Sequence, residues 1–261
     1  MILIPGFASS GQTWDSTVAR YKDRYECHVL TLAGFAGQPR IEAPFLETVR
    51  NDLAAYIRKN KMDKPVIVGH SLGGFMALWL AENNPDLVGP LVIVDSLPFL
   101  AGVMQPGATA DSVKPMAEGM RKSFSGPPTP ESDKQGEAAI RAMATKPADV
   151  DMILGWSKKS DRIAEGNAIY EMMTTDLRAD LYKIKSPALV IGTWIAFKQY
   201  GVTRDQVEKN FRDQYAKLAD YQFMLSDNAR HFVMLDDPEA FFAATDAFLR
   251  GEKQVSASAK Q

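Results

Sequence analysis

The sequence predicts an α/β protein with a doubly wound, mainly parallel sheet and a helical insert. Short apolar runs rich in Val, Ile and Leu alternate along the chain with longer segments that carry apolar residues at helical spacing. The short runs lack a polar face, as strands buried on both sides do. With 261 residues, 46% of them apolar, the chain is long enough for one well-buried domain.

The composition excludes several classes of function. A formal net charge of -2, with acids and bases scattered, leaves no basic stripe for nucleic acid. The single cysteine, Cys27, rules out an internal disulfide framework, and we interpret it as a buried residue of a strand. His28 and His70 lie in strand-like and turn patterns, so three histidines cannot assemble a zinc cluster. We therefore expect a small-molecule partner, no metal and no cofactor; the oligomeric state stays unknown.

The first third of the chain alternates between strand and helix patterns. Residues 2–4 are an apolar run that ends in a turn with Gly6 and Gly11. We predict a helix from Trp14 to about Tyr21, a strand at 25–32 and a helix at 45–59, where the apolar residues share one face.

The segment 65–81 organises the rest of the chain. A β-branched run at 66–68 predicts a strand, and apolar residues at 75–81 predict a helix. Between them lies Gly69-His70-Ser71-Leu72-Gly73, which we call the elbow. A turn this tight needs flanking residues without bulk, and it lifts the Ser71 hydroxyl above the carboxyl edge of the sheet. The N-terminus of the following helix points N–H groups at any oxyanion formed there.

Beyond the elbow helix the patterns define a core and an insert. We predict strands at 91–95, 187–191 and 221–225, a Thr203-capped helix at 203–218, and a closing helix at 238–250. Residues 98–186 carry helical spacings only. The predicted division is a core of 1–97 and 187–250, a helical insert of 98–186 and a polar, disordered tail of 251–261. The longest apolar stretch, 87–104, is broken by two prolines and Asp95, so we predict no membrane span.

Three motifs resemble the α/β-hydrolase superfamily, over essentially all of the chain except the insert and the tail. The elbow is the first, and Leu3-Ile4-Pro5-Gly6-Phe7 is similar to the oxyanion loop of many members, with Pro5 where a His often stands. The third, Asn228-Ala229-Arg230-His231-Phe232, looks like the catalytic-histidine loop.

Members normally have two further strands before the oxyanion loop, so the amino terminus is truncated or the sheet is small. The compartment therefore stays open: soluble, either cytoplasmic or exported by a leader missing here.

The resemblance implies a serine nucleophile and a histidine base. A serine hydroxyl is a weak nucleophile until a base takes its proton, and His231 follows Ser71 in the chain order of this fold. The oxyanion hole would be the N–H groups of Leu72 and Phe7.

The third member of the triad is less well defined by the sequence. In the common arrangement an acid follows the strand after the insert, but residues 192–198 contain no carboxylate. Asp95 is the preferred acid, because it ends the strand after the elbow helix and some family members place the acid there. Asp205 is the alternative, and Asp227 or no acid at all stays open.

The predicted function is hydrolysis of a small-molecule carboxylic ester through an acyl-enzyme on Ser71. A lactonase or carbon–carbon bond hydrolase of the same fold is one alternative, and a non-catalytic small-ligand-binding homologue is another. The insert has the position of a cap that covers the serine. Aromatic residues in loops or in this insert are candidate pocket residues, namely Phe35, Phe99, Trp156 and Trp194.

Overall fold

Six parallel strands form one sheet in this computed structural model, which describes residues 1–105 and 107–252. The strands are β1 Ile2–Ile4, β2 His28–Val29, β3 Ile67–His70, β4 Leu91–Val94, β5 Ala188–Thr193 and β6 Tyr221–Ser226. Their order across the sheet is β2-β1-β3-β4-β5-β6. The predicted fold class, a doubly wound parallel sheet, is confirmed. All strand carboxyl ends therefore meet along one edge.

Helices cover both faces of the sheet. Those of the core are α1 Asp15–Tyr21, α2 Phe45–Lys59, α3 Leu72–Asn83, α9 Ile195–Lys198, α10 Arg204–Gln214, α11 Val233–Asp236 and α12 Pro238–Leu249. Successive strand residues point to opposite faces, so Ile2 and Ile4 join one apolar core and Leu3 joins the other. The first core contains residues of α2, α3 and α10, and the second contains residues of α1 and α12.

Residues 98–186 contain helices joined by loops, and the described residues of this segment include no strand. They form α4 Ala101–Met104, α5 Lys114–Ser125, α6 Pro130–Arg141, α7 Pro147–Ser157 and α8 Arg162–Thr174. A third apolar cluster lies inside this segment, where Ala117 of α5 meets Ile169 and Met173 of α8. The segment packs on the core as well, because Ala164 and Ala168 of α8 belong to the first core. Within residues 1–105 and 107–252 no helix is long and apolar enough to cross a membrane.

Local sequence patterns predict most helix bounds well and the length of one strand poorly. The helix predicted at 45–59 has those bounds. Thr203 caps α10 as predicted, by accepting from Gln206 N at 3.2 Å, but this helix ends at Gln214 and not at 218. The strand predicted at 25–32 is wrong in length, since only His28 and Val29 pair with β1. An edge strand has one neighbour, and β1 is itself only three residues long. Cys27 therefore lies outside the strand and is only partly buried. Of the predicted disordered tail, residues 253–261 lie outside the described residues.

Glu165 of α8 makes stability depend on pH. Its side chain is 6% exposed and accepts no hydrogen bond within the described part of the chain. Burial raises the pKa of this carboxyl from 4.5 to about 7, with Asp161 adding to the shift and Arg162 opposing it. Between pH 4.5 and about 7 the unfolded chain releases this proton while the folded chain keeps it, because the folded pKa is the higher one. The free energy of unfolding therefore falls as pH rises through this range.

We expect Glu165→Gln to remove this pH-dependent cost, which is about 3 kcal/mol on the scale of 1.36 kcal/mol per pKa unit. The free energy of unfolding of the variant, relative to that of the wild type, should rise between acidic and alkaline pH by this amount. Urea titrations across that range measure it. Glu42→Gln is the control, because the Glu42 side chain is 84% exposed. Parallel pH profiles for Glu165→Gln and the wild type would contradict the prediction.

Candidate active site

Ser71 lies between the end of β3 and the start of α3, at the carboxyl edge of the sheet. Its backbone has φ 53° and ψ -120°, a left-handed conformation that costs energy for any residue with a side chain. Its N–H donates to Val94 O at 2.8 Å, which ties the turn to β4. Its side-chain hydroxyl forms no hydrogen bond within the described residues. The elbow therefore holds Ser71 in a strained turn with a free hydroxyl.

Two glycines make this turn possible. A Cβ on Gly73 would lie 2.2 Å from Ile4 O, and a Cβ on Gly69 would lie 2.3 Å from Gly73 O. Both contacts are with backbone atoms, which cannot rotate away as a side chain can. The sequence requirement for residues without bulk on both sides of the serine thus has a direct steric cause.

Asp95 and His231 form a hydrogen bond across 136 positions of sequence. His231 Nδ1 lies 2.6 Å from Asp95 Oδ2. Thr193 at the end of β5 donates to the same carboxylate, from its N–H to Oδ1 and from its hydroxyl to Oδ2, both at 3.0 Å. A carboxylate accepts only, so His231 carries its proton on Nδ1 and presents an unprotonated Nε2 when neutral.

The other acids considered from the sequence lie elsewhere. Asp205 is an exposed residue in the first turn of α10. Asp227 accepts from the Trp194 indole and from Arg204 Nε, both at 2.8 Å. Within the described residues, neither carboxylate has a hydrogen bond to His231. Asp95 is the acid that the fold brings to the histidine.

His70 supports the histidine loop from inside the elbow. The His70 ring is 1% exposed, and its Nε2 donates to His231 O at 3.0 Å. Its ring centre is 4.5 Å from that of His231. Burial lowers the pKa of His70 well below its usual value, and the nearby His231 adds to the shift, so the ring stays neutral. Sequence reasoning gave no role to His70 or Thr193; the only signals were their places at strand ends.

The loop after β1 passes directly beside Ser71. A Cβ on Gly6 would lie 3.2 Å from Ser71 Cβ, so Phe7, the next residue, begins next to the serine. Neither the Phe7 N–H nor the Leu72 N–H donates to an acceptor within the described residues. Leu72 is the first residue of α3, where N–H groups have no partner inside the helix.

Ser71, Asp95 and His231 line a common cavity of about 440 Å³. Most of its wall is apolar and comes from the core and from the segment 98–186, including Phe75, Leu100, Val103, Met172, Val207 and Phe211. Two amide side chains of α10, Gln206 and Asn210, add polar groups. The cavity therefore offers an apolar space next to a serine and a histidine.

The four predicted pocket aromatics do not line this cavity. Phe35 and Phe99 are fully buried in apolar clusters of the first core and of the helical segment. Trp156 belongs to the core on the opposite face of the sheet, where its indole donates to Gln12 at 3.0 Å. Trp194 packs against the first core and donates to Asp227. Loop position in the sequence does not show whether an aromatic ring turns toward a cavity or into the interior.

Within the described ranges, no three His, Cys, Asp or Glu side chains come together in a way that could hold a metal ion. The candidate site thus consists of a serine, a histidine paired with an aspartate, two free N–H groups and an apolar cavity.

Comparisons with known proteins identify a family for the chain and related folds. The model of a family described as the alpha/beta hydrolase family matches residues 1–244. The chain is 25% identical over 248 residues to a pimeloyl-[acyl-carrier protein] methyl ester esterase of Vibrio cholerae, covering 92% of this chain and 90% of that protein. It is 31% identical over 106 residues to the enzyme of the same name from Vibrio atlanticus, but this match spans only 40% of that relative.

A solved structure supports the fold. The enol-lactonase from Burkholderia xenovorans superposes with a TM-score of 0.74 at 19% identity, covering 95% of this chain and 90% of that one. At this identity the likeness concerns the architecture of the chain and not its substrate.

Proposed function

This chain belongs to the alpha/beta hydrolase family, and we propose that it is a serine hydrolase that cleaves carboxylic esters through an acyl-enzyme on Ser71. The observation that carries the proposal is the 2.6 Å contact between His231 Nδ1 and Asp95 Oδ2, on the wall of the cavity that Ser71 also lines. A histidine fixed in this tautomer has Nε2 available as a base.

The first half of the reaction transfers the acyl group to the enzyme. His231 Nε2 takes the proton of the Ser71 hydroxyl while the oxygen attacks the ester carbonyl. The negative charge on the carbonyl oxygen is stabilised by the Phe7 and Leu72 N–H groups, which have no other acceptor among the described residues. When the C–O bond breaks, His231 returns its proton to the departing alcohol. Asp95 stabilises the imidazolium that exists between these two steps.

The second half releases the acid. Water attacks the acyl carbon while His231 takes one of its protons, and His231 then gives this proton to the Ser71 oxygen as the acyl C–O bond breaks. The reaction consumes one ester and one water and yields one alcohol and one acid, so no redox partner is required.

The apolar cavity favours an acyl group with a hydrocarbon chain. The Vibrio relatives are named as methyl ester esterases, so methyl esters of medium-length acyl chains are the first substrates to compare. We expect esters of the same acids with bulkier alcohols to react more slowly than these methyl esters.

We expect a fluorophosphonate probe to label the wild type at one serine and to leave Ser71→Ala unlabelled. The probe reacts with serines whose hydroxyl is activated by a base, and peptide mapping locates the label. Ser96→Ala is the matched control, because Ser96 lines the same cavity but lies outside the elbow. It should be labelled like the wild type.

The outcome discriminates between the classes of function. An unlabelled wild type would contradict an activated serine and favour a non-catalytic ligand-binding homologue. A labelled wild type that hydrolyses no p-nitrophenyl or methyl ester would instead move the reaction to lactones or carbon–carbon bonds, which can be assayed on the same preparation.

A further inference from the structure

Residues 141–146, which end α6 and lead into α7, lie against the loop that carries His231. We call these residues the brace. Arg230, the residue before His231, donates from Nη1 to Arg141 O at 3.2 Å and to Ala144 O at 3.3 Å. These bonds span 89 and 86 positions of sequence, so only the tertiary structure brings the brace to this loop.

The backbone on each side of His231 is held by one hydrogen bond. Before it, the Arg230 N–H donates to Asp236 Oδ2 at 2.9 Å. After it, the Phe232 N–H donates to Met143 O of the brace at 3.3 Å. Phe232 is 2% exposed, so this second bond starts from a buried residue. The orientation of the His231 backbone therefore depends on both Asp236 and the brace.

Asp236 joins the loop to the brace. Its Oδ1 accepts from the Thr145 N–H at 2.8 Å, and its Oδ2 accepts from the Thr145 hydroxyl at 3.0 Å as well as from the Arg230 N–H. Within the described part of the chain Asp236 has no cationic partner, so its carboxylate serves these three donors alone. Hydrogen bonds to a charged acceptor are stronger than those between neutral groups.

Apolar packing fixes the brace independently of Asp236. Ala144 is 1% exposed and belongs to the second core, together with Val150 and Ile153 of α7. Met143 packs against the same core. Because a close-packed interior leaves little room for displacement, the brace is a fixed support for the loop that bonds to it.

The contact with Asp95 alone leaves freedom in the imidazole. It fixes one ring atom, His231 Nδ1, at 2.6 Å from Asp95 Oδ2, and the ring can still pivot about that atom. Nε2 must also point at the Ser71 hydroxyl to accept its proton. A displacement of a catalytic group by about 1 Å can cost about 100-fold in rate. The backbone bonds beside His231 restrict this movement.

We propose that Asp236 is a positioning residue, which binds the histidine loop to the brace and so keeps His231 Nε2 directed at Ser71. This inference rests on the proposed roles of His231 and Ser71, and it adds a residue that does not line their cavity. It also gives the segment 98–186 a second part in the reaction, besides its share of the cavity wall.

We expect Asp236→Ala to lower kcat for p-nitrophenyl butyrate about 100-fold, with KM changed less than about twofold, because Asp236 lies outside the cavity wall. Thr145→Val removes one of the three bonds and should lower kcat about threefold, whereas Thr145→Ser keeps the hydroxyl and should match the wild type. Asp236→Asn keeps one accepting oxygen, so its kcat should lie between those of Asp236→Ala and the wild type.

Asp161→Ala is the matched control. Asp161 also lies in the segment 98–186 and accepts from two backbone N–H groups, those of Ile163 at 2.9 Å and Ala164 at 3.0 Å, but it is not part of the brace. This variant should lose stability in a thermal melt, as removal of a helix N-cap does, and keep the wild-type kcat. A fall in kcat that reflects only a loss of stability would appear in both variants.

Proton NMR of the free enzyme gives a readout that needs no substrate. The resonance of the His231 Nδ1 proton, assigned by its absence in His231→Ala, should shift in Asp236→Ala and stay in place in Asp161→Ala. If Asp236→Ala does not fold, Asp236→Asn and Thr145→Val are tested by the same two measurements.

The inference is overturned by wild-type kcat in Asp236→Ala, by an equal fall of kcat in Asp161→Ala, or by an unshifted His231 resonance in Asp236→Ala. A wild type that hydrolyses no ester would contradict the proposed function instead. In that case the NMR comparison still decides the role of Asp236, since a shift supports it and an unchanged resonance refutes it.

Discussion

Asp95→Asn is expected to lower kcat for ester hydrolysis by about four orders of magnitude, with KM little changed. An asparagine amide that donates to His231 Nδ1 would hold the imidazole in the opposite tautomer, with its proton on Nε2. That nitrogen could then no longer accept the Ser71 proton. The Thr193 N–H, which donates to Asp95 Oδ1 in the wild type, favours this outcome because it keeps the amide oxygen at that position and leaves the NH₂ group toward His231.

Asp205→Asn and Asp227→Asn are the matched controls for this prediction. Each makes the same change on an acid that the sequence left open for this role, and neither acid has a hydrogen bond to His231 within the described residues. Rates within a factor of about two of the wild type are expected for both. A collapse of activity in Asp205→Asn, with Asp95→Asn remaining active, would show that the acid is assigned to the wrong residue.

Gly73→Ala should destabilise the fold by about 4 kcal/mol or more. The added methyl group would lie 2.2 Å from Ile4 O and 2.7 Å from Pro5 O. Relief requires α3 to move away from β1, but α3 is buried along most of its length in the first core. A thermal melt should show a midpoint lowered by about 10 °C, on the scale of 2–4 °C per kcal/mol for a chain of this size.

Gly136→Ala is the control with the same chemical change. Gly136 is an exposed residue inside α6, and a Cβ there has no neighbour within 4 Å. Since alanine has the better helix propensity, this variant should be stabilised by about 0.5–1 kcal/mol. If Gly73→Ala melts at the wild-type temperature, the elbow tolerates bulk and its steric explanation fails.

Local signals were sufficient for several elements. The bounds of α2 follow from the spacing of its apolar residues, and the start of α10 follows from the Thr203 cap. The elbow could be predicted because its requirement for glycine, serine and glycine is confined to five neighbouring residues.

Other features depend on contacts between distant parts of the chain. The length of β2 is set by β1, its one neighbour among the described strands, and not by the apolar run that contains it. The sequence pattern places Phe35 and Phe99 in loops. Their rings are nevertheless fully buried, because these segments pack on apolar clusters.

The sequence by itself determined the order of strands and helices, the fold class, the serine turn and the histidine loop. Each of these follows from residues that are neighbours in the chain, where backbone sterics and side-chain periodicity act directly. Only the tertiary structure decided which acid meets His231 and which side chains line the cavity at Ser71. Asp95 and His231 are 136 positions apart, and only the packing of parallel strands side by side brings their carboxyl ends to the same edge.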